Sequence, residues 1–149
     1  MKATPTLSGG LHILPQAEAD WALLRAIVSD ANAEKLAADL SAPMDEDSCW
    51  DDIVQPELET YFNGQLQTVI DHIKTSPEGG FTIERDQLWD WYGALNQARL
   101  QLEATHHLHD LRIEELNTFP PPIRQALIRE KAYGRLQSLL LSYLEAIGD

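Results

Sequence analysis

The sequence predicts an all-α domain, a four-helix antiparallel bundle to which a short N-terminal strand can be added. Three observations carry the prediction. Four apolar stripes recur at steps of three and four residues, proline and glycine punctuate the chain between them, and 149 residues with 44% hydrophobic content suffice for one core. The domain organisation follows as a single unit over 1–149, an extended lead-in over 1–14 and a helical bundle over 15–149. No stripe can be buried by its own helix, and the connections are short to moderate, so antiparallel packing of neighbours is the simplest solution.

Leu11 and Ile13 alternate with His12 as a short strand would, and Gly9, Gly10 and Pro15 confine that segment to a few residues. Pro15 suits the first turn of a helix, with Glu18 and Asp20 at the positive end of its dipole. Trp21, Leu24, Val28, Ala31, Leu36 and Leu40 extend one stripe, which Ser41, Ala42 and Pro43 stop. The second stripe is Val54, Leu58, Phe62, Leu66, Val69 and Ile73, its start placed close before Pro56 with Ser48, Asp51 or Asp52 as the cap. After the turn Ser76 to Gly80, Thr82 can cap a third helix carrying Leu88, Trp91, Leu95, Ala98 and Leu102. Pro120, Pro121 and Pro122 lead into the fourth, with Tyr133, Leu136, Leu140, Tyr143 and Ile147.

Charge and composition narrow the function. Twenty-four acidic against 11 basic side chains give a formal net charge of −13, and the field of such a molecule repels nucleic acid and anionic membrane surfaces. The densest apolar run, Leu136 to Leu144, falls short of the ~20 residues a membrane span needs, and no secretory signal opens the chain. Cys49 is the only cysteine, so no internal disulfide can form, and a reducing cytoplasm is the expected compartment. Asp47, Asp51 and Asp52 around it disfavour a thiolate. Phosphate-binding glycine loops and the nucleophile elbow are missing from the sequence, no acid/base pair can be singled out among so many carboxylates, and no cofactor is called for.

The run Phe81, Thr82, Ile83 to Leu88 and Trp91, followed by Leu95, Asn96, Gln97, Ala98, Arg99 and Leu100, resembles a bacterial family of uncharacterised helical proteins. Members of that family carry a tryptophan, then Leu-Asn, then Arg-Leu on one helix. Similarity continues at Leu11 to Leu24 and Tyr133 to Leu144 and covers most of the chain, although Glu103 stands where the family pattern has a glycine. The resemblance implies a link to regulated proteolysis, since genes of this kind are often found beside that of the Clp protease adaptor. It brings no catalytic residues with it.

Four groups of residues are candidates for function. Trp89 and Trp91 cannot both face one core, so Trp89, with Tyr92 beside it, is a candidate contact anchor. Arg124, Lys131 and Arg135 form a basic stripe on the last helix, suited to an acidic partner, to a second copy of the chain, or to the acidic run Asp45 to Asp52. Asn96 and Arg99 are expected as a buried polar pair at the stripe's edge, Arg99 seeking a carboxylate from the second helix. Glu103, His106, His109 and Asp110 are the only set with metal-ligand spacing, although the second Glu-x-x-His that a di-iron bundle needs is missing and a solvated helix end explains the same residues. The expected function is therefore a non-enzymatic protein-interaction or regulatory module, a homodimer among its forms, with a metal-binding bundle as the alternative.

Overall fold

The alternation at Leu11 and Ile13 does make a strand, and it finds two partners. The computed structural model describes residues 1–41 and 49–147, with side chains described for 1–41 and 53–146. Strands β1 (Lys2–Pro5), β2 (Leu11–Leu14) and β3 (Phe81–Ile83) form an antiparallel sheet in that order. Ala3 faces Ile13 across the first pair, and Ile13 faces Phe81 across the second. The hairpin turn closes through Thr6, whose N–H donates to the Gly10 carbonyl at 3.0 Å and whose Oγ1 accepts from the Gly10 N–H at 2.9 Å. Gly9 sits at φ +88°, where a side chain would be strained. Leu11, Ile13, Phe81 and Ile83 point into the core, and His12 and Thr82 bond each other on the opposite face at 2.9 Å.

Five α-helices are present among the described residues: α1 (Glu18–Asp30), α2 (Ala33–Ser41), α3 (Cys49–Ile73), α4 (Leu88–His106) and α5 (Pro121–Ile147). The architecture is mostly helical with a small three-stranded sheet, and it departs from the expected four-helix bundle at two places. The first expected helix is two helices, because Ala31 is extended (φ −75°, ψ 154°) and the Asn32 side chain caps α2 through the Lys35 N–H at 3.0 Å. Leu40 is consequently exposed, and the buried face of α2 is Ala33, Ala37 and Ser41. Phe81–Ile83 is a strand and not the approach to a cap; Glu84 caps the following 3-10 turn Arg85–Gln87 through reciprocal bonds with Gln87. Of the acidic run Asp45 to Asp52, positions 45–48 lie outside the described residues. Helix α3 already runs from Cys49, which leaves Pro56 inside the helix and not in its first turn.

Helix α4 is the centre of the fold, packed against α1, α3 and α5. Leu88, Trp91, Leu95, Ala98 and Leu102 are all buried, as their spacing requires. Its contact with α5 is antiparallel: Tyr92 lies near Gln137, and Arg99 near Glu130. The sheet closes one side of the core, where Ile13 and Ile83 meet Leu24, Trp91, Leu95 and Leu140. Tyr143 ties α5 to the hairpin by donating its hydroxyl to the Gly10 carbonyl at 2.7 Å.

Candidate functional site

The outer face shared by α4 and α5 collects Trp89, Tyr92, Arg99, Lys131 and Arg135 from the residues that the sequence marks for function. Phase explains why. On α4, Trp89 and Tyr92 are one and four residues after Leu88, so they leave the buried stripe on its α5 side. Trp89 is 56% exposed while Trp91 is 2% exposed, so one indole faces out and one in. Trp89 meets Tyr92 edge-on, with ring centroids 5.6 Å apart. It forms one wall of an open groove of about 860 Å³ that includes Ser8 of the hairpin, Leu141, Leu144 and Glu145. Glu84, Arg85 and Asp86 edge the same groove.

Further along the same interface, Lys131 and Arg135 line a second groove of about 600 Å³ with Arg99, Ile113 and Ile128. Arg124 does not join them, for its Nη2 turns back to donate to the Phe119 carbonyl at 3.2 Å. The expected three-residue stripe is thus two exposed cations completed by Arg99 of the neighbouring helix. Arg129, close by in sequence, faces the other way. Its Nε and Nη2 donate to Asp30 of α1 at 2.8 and 3.1 Å, and the Tyr133 hydroxyl donates to the same carboxylate at 2.7 Å. Burial and the Asp30 charge both raise the Tyr133 pKa, so its hydroxyl stays a donor.

The expected Asn96 and Arg99 pair is corrected. Asn96 is exposed, and Arg99 takes its carboxylate from α5 rather than from the acidic helix. Arg99 Nε and Nη2 donate to Glu130 Oε1 at 2.9 and 2.7 Å, and Nη1 donates to Gln137 Oε1 at 2.7 Å. The buried polar residue of the motif is instead Gln97, whose Nε2 donates to the Phe62 carbonyl and to Gln65 Oε1 on α3 at 3.0 and 2.9 Å. Gln65, Gln97 and Gln137 escape sequence reasoning because an uncharged polar side chain on a stripe's flank reads as surface. Part of a signal did exist: Gly93 and Gly134 lie inside helices, and a helical glycine is one mark of close approach. A Cβ at Gly93 would lie 2.2 Å from Gln65 Nε2, and one at Gly134 would lie 3.2 Å from Arg99 Cζ.

The histidine cluster resolves into ion pairs. His109 Nδ1 bonds Glu103, and its Nε2 lies 3.2 Å from Asp110. The Glu103 hydrogen bond and the two carboxylates raise the His109 pKa; for Glu103, the His109 bonds outweigh partial burial, and its pKa is lowered. His106 is not part of this arrangement, and no group of three or more His, Cys, Asp or Glu among the described residues is placed to hold a metal ion. No described helix is long and apolar enough to cross a membrane.

Neither a curated protein nor a solved structure matches this chain. One family model does, covering residues 14–144, nearly the whole span from β2 through α5, and the chain belongs to that family, Domain of unknown function (DUF2017).

Proposed function

We propose that this chain is a non-enzymatic interaction module of the cytoplasm, which docks another protein along the outer face of α4 and α5. The observation that carries the reading is Trp89, 56% exposed, on a groove that Leu141 and Leu144 also line. A large aromatic held against Tyr92 gives up little freedom on binding, and tryptophans in such settings anchor protein contacts. The link to regulated proteolysis implied by the family resemblance belongs to the same proposal, because a protein that regulates a protease's supply acts by docking rather than by bond making.

The test is affinity capture with native chain and with Trp89→Ala, identified by mass spectrometry, alongside sedimentation of the free chain. We expect a partner captured at low salt by the native chain and at least about tenfold less by the variant, with circular dichroism unchanged. A chain that stays monomeric at high concentration and captures the same proteins with or without Trp89 overturns the reading. Stoichiometric metal in untagged protein, lost in His106→Ala, would favour the metal-binding alternative in its place.

A further inference from the structure

Resting on the docking reading, we propose a chemistry for the partner: the groove lined by Arg99, Lys131 and Arg135 receives an acidic segment of another protein, a carboxylate flanked by apolar side chains.

Charge is the first ground. In a molecule of net charge −13, three cations converge on one groove of about 600 Å³ that no carboxylate lines among the described residues. Elsewhere Arg25 pairs with Glu18, Lys35 with Asp39, Lys74 with Asp71 and Arg129 with Asp30; in this groove Arg99 alone has a close carboxylate among the described residues, Glu130. Arg135 forms no ion pair with a described residue, and Lys131 reaches only a loose 3.6 Å contact with Glu130 Oε2.

Preparation is the second. Glu130, 12% exposed, and Gln137, buried, hold the Arg99 guanidinium by three of its five N–H groups. The remaining two, one on each terminal nitrogen, are free for an incoming acceptor on a side chain 38% exposed. The guanidinium lies close over Gly134, where a Cβ would come within 3.2 Å of Cζ. An arginine fixed in this way loses little entropy when it binds a carboxylate, and its planar fork suits one.

Apolar walls are the third. Ile113 and Ile128 flank the cations at 42% and 45% exposure. A bare anion would leave both isoleucines in water, and nucleic acid would bring a charge every ~1.7 Å against the whole molecule's field. A carboxylate with leucine-like neighbours satisfies cations and walls together.

The probe is an array of random 12-residue peptides, phosphoserine peptides included, read with the native chain, Lys131→Glu/Arg135→Glu and Trp89→Ala. Both charge reversals are at exposed positions, so native circular dichroism is expected of the double variant. The native chain should select peptides with Asp or Glu beside Leu, Ile or Phe. Exchanging that Glu for Gln, and reversing the two charges on the protein, should each weaken Kd at least about tenfold. Trp89→Ala should keep the preference for Glu over Gln, so loss of the Trp89 contact and loss of the acidic preference are separate results. The proposal is overturned if no peptide is selected, if Gln serves as well as Glu, if only phosphopeptides bind, or if charge reversal abolishes nothing but self-association.

Discussion

At the level of single residues, the indole N–H of Trp91 determines the state of His72. Trp91 Nε1 can only donate, and it lies 2.9 Å from His72 Nδ1, so that nitrogen is an unprotonated acceptor and the ring is neutral. Phe81 stacks on both rings, at 5.6 Å from His72 and 5.4 Å from Trp91, joining β3 to α3 and α4. Burial pushes the His72 pKa below its ordinary 6.5, although Gln87, Asp71 and Glu84 favour the charged form. Unfolded chain therefore binds more protons here than folded chain as pH drops below 6.5. Stability from this site is fully present above that pH, is lost as pH falls toward the folded pKa, and then levels off. In urea unfolding at about pH 7.5 and about pH 5.5, we expect the native chain to lose more stability than His72→Asn, whose amide oxygen still offers the indole an acceptor. His109, with its raised pKa, acts in the opposite direction, losing stabilisation as pH rises, and is common to both proteins. Equal losses would show that His72 is as readily protonated in the fold as outside it.

Between elements, two glycines test how closely the helices approach. At Gly93 a Cβ would collide with the Gln65 amide at 2.2 Å, and clearing it would break the buried bond to Gln97. Overpacking of this kind costs about 1–3 kcal/mol, which offsets or outweighs the ~1 kcal/mol that alanine gains over glycine in a helix. Gly64, exposed on α3, has nothing within 4 Å of its Cβ position. Urea titration should show Gly93→Ala destabilised, by up to about 2 kcal/mol, and Gly64→Ala stabilised by about 0.5–1 kcal/mol. Two stabilised variants would mean that the α3 and α4 seam has room to spare. The stripes that make these seams were legible in the sequence, because burial of one helix face imposes a period that Leu88 through Leu102 keep without a miss. Element ends were less legible. Leu36 and Leu40 keep the period across the Asn32 cap, although Leu40 is 47% exposed, so periodicity alone hides the break. Phe81–Ile83 is too short to declare itself a strand, and its partner Leu11–Ile13 lies some 70 residues away. The Asp30, Arg129 and Tyr133 cluster joins residues 99 and 103 positions apart, a distance that no local pattern encodes. Of the candidate site, the outward Trp89 and the cations Lys131 and Arg135 were readable from helix phase; their completion by Arg99 required the antiparallel register of α4 and α5.

For the whole molecule, the net charge of −13 sets a sign that no single contact can reverse. Exposed carboxylates closer together than about one screening length repel one another, and that length shrinks from ~30 Å at 0.01 M salt to ~8 Å at 0.15 M. The bridges from Arg129 to Asp30 and from Arg99 to Glu130 span 2.8 and 2.7 Å, far inside either length, with both carboxylates only 12% exposed. Salt therefore relieves the repulsion while leaving the inner bridges nearly intact. The exposed pairs Lys35 with Asp39 and Lys74 with Asp71 contribute little in any condition. Thermal unfolding should accordingly shift upward by a few degrees between about 10 mM and about 150 mM sodium chloride. Docking of an acidic segment on Arg99, Lys131 and Arg135 responds in the opposite sense, since its attraction acts across a solvated groove that the same ions screen. A melting temperature that rises while association weakens separates the two effects in one pair of buffers. A melting temperature that falls would mean that attractive pairs, and not surplus carboxylates, dominate the field of this molecule.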